Sequence, residues 1–108
     1  MAIILKNRAS TYLSAAMSSS DTSITVTDGS VFPALASGEY FYMTIEATTG
    51  NYEIVKVTAR SENTLTITRA QEDTLAIPFV TNSRAEMRVT AQNIEDAFAD
   101  QAGNVLLL

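Results

Sequence analysis

The chemistry open to this chain is bounded first by what it lacks. Neither histidine nor cysteine occurs among its 108 residues. That removes the usual acid–base group of neutral pH, thiolate nucleophiles, disulfides and the commonest metal ligands together. Twelve aspartates and glutamates remain, so a glycosidase-like pair of carboxylates is formally open. They are scattered over turns and strand faces, and nothing marks two of them as a pair. Glu72 and Asp73 adjoin, but no Asp-x-Asp-x-Asp-Gly spacing surrounds them, so they read as a solvated acidic loop. Thr25, Thr27, Thr64, Thr66 and Thr68 read as plain solvated strand surface. A carbohydrate-binding module would need exposed aromatic platforms, and the chain has four tyrosines, four phenylalanines and no tryptophan. The expectation is a non-enzyme with no cofactor and no metal.

The formal net charge of −5 opposes a phosphate-tracking surface. Lys6, Arg8, Lys56, Arg60, Arg69, Arg84 and Arg88 nowhere form a cluster. Nucleic acid and anionic membrane are therefore not expected as partners. The longest apolar runs, residues 2–5 and 105–108, fall far short of the ~20 residues that cross a bilayer as a helix. No charged segment precedes the first run, so no secretory leader is expected, and folding in the cytoplasm of the translating cell is.

The length fits one domain. Ser23-Ile24-Thr25-Val26-Thr27 alternates with Ile24 and Val26 on one face. It ends at Asp28-Gly29-Ser30, where Gly29 is free to take a positive φ. Phe32 precedes Pro33 and is expected to plug the core. Residues 40–46 place Phe41, Met43 and Ile45 on one face and Tyr40, Tyr42, Thr44 and Glu46 on the other. After a turn over 48–51, residues 52–58 point Val55 and Val57 inward, and 59–63 form a polar connection. Residues 64–69 alternate again, 70–82 are a long loop with a short strand near 77–80, and 86–89 are a final strand. Residues 10–20 fit strand or helix. Thr90 caps a helix over 91–102, with Ile94, Ala97 and Phe98 as its buried stripe and Glu95, Asp96 and Asp100 facing water. The expected fold is mostly β: a small antiparallel sandwich or barrel of about 6–8 strands with one short C-terminal helix. Within the single domain 1–108, residues 1–8 form an apolar arm, 22–89 the β meander, 91–102 the helix and 103–108 an apolar tail.

The ordered series SSSDTSITVTDGSVFP, YFYMTIE, YEIVKVT, NTLTITRAQEDTLA and RVTAQNIEDAF resembles a β-domain of tailed-bacteriophage virion proteins. That domain forms the particle-proximal end of tail fibres and also small stand-alone tail or head proteins. The resemblance spans roughly Leu13 to Phe98, and its most specific piece is NTLTITRAQ. There the family usually carries Arg-Gly-Gln and then Gly-Thr, whereas Ala70 and Asp73 stand at the glycine positions here. Tight turning in that segment is thus expected to need a different backbone. The resemblance implies a non-catalytic structural protein located in the virion, without catalytic residues. Its implied partners are tail, baseplate, fibre or capsid subunits, in a homo-oligomer such as a trimer or hexamer. A fibre adaptor leads, a capsid decoration protein is the alternative, and a host-surface carbohydrate-binding module is a second one.

Assembly candidates are the apolar ends, Ile3, Ile4 and Leu5 at the start and Val105, Leu106, Leu107 and Leu108 at the finish. They either dock on a neighbour or pack within their own domain. Tyr40, Tyr42 and Ile54, with Tyr52 beside them, would form an aromatic patch if the helix or the N-terminal segment leaves that face open.

Overall fold

The computed structural model describes residues 2–88, 90, 92 and 94–96. Its seven strands are β1 (Ala2–Ile3), β2 (Ser10–Tyr12), β3 (Ser23–Thr25), β4 (Glu39–Glu46), β5 (Tyr52–Ser61), β6 (Thr64–Gln71) and β7 (Arg84–Glu86). Six of them form one curled antiparallel sheet in the order β2-β7-β4-β5-β6-β3, a half-barrel, and β1 adds in parallel to the start of β4. A short helix lies near the C-terminus. The expected mostly β fold is present. The outer strands β2 and β3 meet at a Leu13–Val26 bridge, flanked by Ser14 N–H to Thr25 O (3.1 Å) and Thr27 N–H to Tyr12 O (2.8 Å). Irregular register between β5 and β6, at 54–56 and 57–59, helps the sheet bend.

Period-two alternation decides what is inside. Phe41, Met43 and Ile45 of β4 face Val57, Val55 and Glu53 of β5 across the ladder, and all six are buried. Ile24, Val26, Leu65, Ile67, Leu13 and Phe79 complete the core. Phe32 does plug it, stacked on Phe41 with ring centroids 5.3 Å apart. Residues 10–17 are extended: β2 continues into bridges at Leu13 and Met17.

Several boundaries differ from the sequence reading, for tertiary reasons. β5 runs through Ser61, so only Glu62 and Asn63 turn, because β6 supplies ladder partners out to Thr64. The final strand is Arg84–Glu86 rather than 86–89, since β7 must bury Ala85 between β2 and β4; Val89 lies outside the described residues. The expected strand near 77–80 is a single Met17–Phe79 bridge. Gly29 does not use a positive φ. It opens a 3₁₀ turn over Gly29–Val31 capped by the Asp28 side chain, and it is pressed against the β5–β6 turn.

The segment after Arg69 takes a left-handed backbone without glycine: Ala70 (φ 55), Glu72 (φ 53) and Asp73 (φ 64) all lie there. For Ala70 this geometry costs ~1–2 kcal/mol, whereas aspartate tolerates it better. Ala70→Gly is therefore expected to stabilise the domain by about 0.5–1 kcal/mol and Asp73→Gly by less, after the greater unfolded-state entropy of glycine is included. Urea denaturation measures both, and a destabilising Ala70→Gly would show that the left-handed turn is not strained.

Candidate functional site

Three groups of residues hold most of the polar chemistry. The first lies at one end of the core. Glu53, on the inward side of β5, is fully buried, and each of its oxygens accepts two hydrogen bonds. Oε1 takes Arg69 Nη2 (2.7 Å) and Ile77 N (3.0 Å); Oε2 takes Arg69 Nε (2.8 Å) and Ala70 N (2.9 Å). Arg69 donates onward to the carbonyls of Ser18 (2.8 Å), Asp21 (2.9 Å) and Ile77 (2.8 Å), so all five of its N–H groups are engaged. Burial pushes the Glu53 carboxyl up, but the Arg69 hydrogen bonds and the Ala70 and Ile77 amides outweigh it and hold it below its ordinary value. Such a closed arrangement has no spare proton acceptor to offer a substrate; it ties two loop segments, around 18–21 and at Ile77, to strands β5 and β6. Sequence reading passed over the pair, although Glu53 shares the inward parity of Val55 and Val57.

The second group is the other face of β4. Tyr40, Tyr42 and Ile54 are buried and pack with Ile3, so β1 covers part of the face expected to stand open if nothing lay on it. The helix covers more of it. Asp96 Oδ2 accepts from the hydroxyls of Tyr40 (2.6 Å) and Tyr42 (3.0 Å), and Gln92 Nε2 donates to Oδ1 (2.7 Å). Lys56 Nζ sits 4.3 Å above the Tyr40 ring centroid. Asp96 was expected to face water and Ile94 the barrel; instead Asp96 turns inward and Ile94 is 43% exposed. Two buried tyrosine hydroxyls each need an acceptor, and that need outranks the weak apolar stripe. Ala97 and Phe98 lie outside the described residues, as do Asp100 and the tail residues Val105, Leu106, Leu107 and Leu108. Ile4 is half-buried, its N–H bonded to Tyr40 O at 2.8 Å, while Leu5 is half exposed.

Burial first, then the Asp96 hydrogen bond, pushes the Tyr42 hydroxyl up to about 12. Its neutral form is favoured by folding, so this contribution is whole below the ordinary value of 10.0 and disappears as pH rises through about 12. In Asp96→Ala, tyrosinate absorbance is expected to develop at lower pH as Tyr42 moves back toward 10.0. An unchanged titration would mean that the helix does not cover the tyrosines in solution.

The third group is what remains exposed. Tyr52 (53%) and Leu75 (77%) stand on either side of a shallow cleft of about 460 Å³, lined also by Ile77, Asn51, Asp73 and Thr74. Tyr12 and Val80 are exposed as well. No cluster of three or more potential metal-ligating side chains occurs among the described residues, and no described helix is long and apolar enough to cross a membrane. No protein-family model matches the sequence, and no curated protein matches it either.

Proposed function

We propose that this chain is a non-catalytic structural component of a tailed-phage particle, assembled through protein–protein contacts, with a fibre-adaptor place at the tail or baseplate. One observation carries the reading: the ionised groups nearest the core are taken up by bonds within the fold while large apolar side chains stand in water. Glu53 with Arg69, and Asp96 with the two tyrosines, are engaged in holding the fold. Tyr52, Leu75 and Leu5 offer apolar area to a neighbour. Tyrosine in particular is enriched where interfaces concentrate their binding free energy. The ordered series of strand sequences that resembles the virion β-domain supports the same reading, and a symmetric homo-oligomer fits it.

Immunogold electron microscopy of the parent particles with antibody to this chain tests the proposal. Label confined to the tail or its base is the expected result, and label over the capsid would favour a decoration protein. Intact and mildly disrupted particles that never label would overturn virion membership. Leu75→Asp is expected to lower incorporation into particles at least tenfold and leave the melting temperature of the isolated domain unchanged, since Leu75 is already in water.

A further inference from the structure

Four outward side chains line up across the sheet, each on a different strand. The β2–β7 register sets Tyr12 opposite Arg84, the β4–β7 register sets Arg84 opposite Glu46, and the β4–β5 register sets Glu46 opposite Tyr52. The row therefore reads tyrosine, arginine, glutamate, tyrosine, in steps of one strand spacing, ~4.8 Å. At the Tyr12 end it borders a groove of about 260 Å³ lined by Tyr12, Arg84, Glu46, Asn82, Thr48 and Ala47.

The polar groups of this groove contrast with those elsewhere in the molecule. Arg69 has all five donors engaged, and Arg88 bonds both Glu46 and Glu86. The side chains of Arg84, Asn82 and Thr48 make no hydrogen bond or ion pair among the described residues, and neither does the Tyr12 hydroxyl. Glu46 gives Oε1 to Arg88, and no hydrogen bond engages its Oε2 among the described residues. The groove so presents open donors on Arg84, an acceptor on Glu46, and groups of both kinds on Asn82, Thr48 and Tyr12. With Arg84 and Arg88 set against Glu46 and Glu86, it carries no net charge.

The frame under it is rigid. β7 is bonded on both sides, and the Tyr12 carbonyl accepts from Thr27 N at 2.8 Å while the β2–β7 ladder holds its other edge. Asn82 sits in a left-handed turn (φ 72) whose N–H is fixed to Leu13 O at 2.9 Å. The backbone that carries these side chains is therefore fixed before any ligand arrives, and only side-chain freedom remains to be lost on binding.

We propose that this groove is a binding site for a neutral pyranose, with Tyr12 stacking on the apolar face of the ring and Arg84, Glu46, Asn82 and Thr48 sharing its hydroxyls. A hydroxyl-covered ring needs donors and acceptors side by side and no net charge, and a flat aromatic face for its C–H groups. One strand spacing is close to the length of one pyranose unit, so a short oligosaccharide crossing the strands reaches Tyr52 at the far end of the row. A peptide added as an extra strand, by contrast, pairs along a strand edge, and its register would not follow this row. The site does not depend on which particle, if any, carries the chain.

The test is amide NMR titration of the purified chain with mono- and trisaccharides of glucose, galactose, mannose and N-acetylglucosamine, with uronic-acid trisaccharides alongside. One neutral series is expected to shift the amides of Tyr12, Thr48, Asn82 and Arg84, with a dissociation constant of ~1 mM or tighter. Tyr12→Ala and Arg84→Ala are expected to weaken binding at least tenfold, while Tyr12→Phe, which keeps the ring, stays within threefold. Tyr52→Ala is expected to weaken the trisaccharide and leave the monosaccharide unchanged. All of these side chains are on the outer face, so unchanged melting temperatures separate lost binding from lost folding. No shift at ~10 mM of any neutral sugar, shifts elsewhere on the surface, or preference for the uronic-acid series would each overturn the assignment.

Discussion

Arg69→Met is expected to lower folding stability by about 3–5 kcal/mol, a large share of the ~5–15 kcal/mol that holds a domain of this size. The variant leaves the Glu53 carboxylate buried with only the Ala70 and Ile77 amides to hold it. It also strips the carbonyls of Ser18, Asp21 and Ile77 of their donors. Where a buried ion pair stands alone, replacing both partners by apolar residues is often neutral. Here the pair also serves five backbone groups, so Glu53→Leu combined with Arg69→Met is expected to recover only part of the loss. Full recovery in guanidinium denaturation would show that the backbone groups find water instead.

The same pair sets an acid limit. The Glu53 carboxyl is held below its ordinary value of 4.5, so the folded state favours the ionised form. Its contribution is whole above that value and is lost as pH falls through the lower folded value. Asp21, Asp28, Glu46 and Asp96 are shifted in the same direction, so the wild-type acid limb is a sum over all of them. The difference between wild type and Glu53→Gln isolates the Glu53 part. The variant is expected to be less stable at neutral pH and to lose less on acidification. Parallel curves would exclude Glu53 as a source of the acid sensitivity.

Gly29→Ala is the second large effect, expected at about 3 kcal/mol. A Cβ on Gly29 would lie 2.0 Å from Glu62 O and 3.0 Å from Asn63 Cα, both backbone atoms of the β5–β6 turn. No rotamer can relieve that contact. The turn is also anchored from both sides, since Gly29 N–H donates to Asn63 Oδ1 (2.8 Å) and Val26 N–H to Asn63 O (2.9 Å). Moving it would break the bonds that hold β3 and the 3₁₀ turn to the β5–β6 hairpin. Gly50→Ala is the control: Gly50 has φ 96 but open space around the added carbon, so its cost is conformational, about 1 kcal/mol. Urea midpoints decide between them. Equal effects would mean that the close approach at Gly29 relaxes without cost.

The inward parity of Phe41, Met43 and Ile45, of Val55 and Val57, and of Ile24 and Val26 was determined by the sequence alone, because side-chain direction in a strand repeats every two residues. So were the turn at 48–51 and the plugging role of Phe32, which rest on neighbours a few positions away. Tertiary structure decided everything that needed a partner distant in the chain. Glu53 has the parity of a core residue, but nothing near it in sequence names Arg69, 16 positions on, as the group that makes its burial tolerable. Asp96 reads as a water-facing helix residue until Tyr40 and Tyr42, more than 50 positions earlier, turn up beneath it in need of an acceptor. The row from Tyr12 through Arg84 and Glu46 to Tyr52 exists only in the register of four strands, and three separate ladders fix it. Local periodicity determines which face a side chain takes; which residues meet there depends on how the sheet closes, and closure is a property of the whole chain.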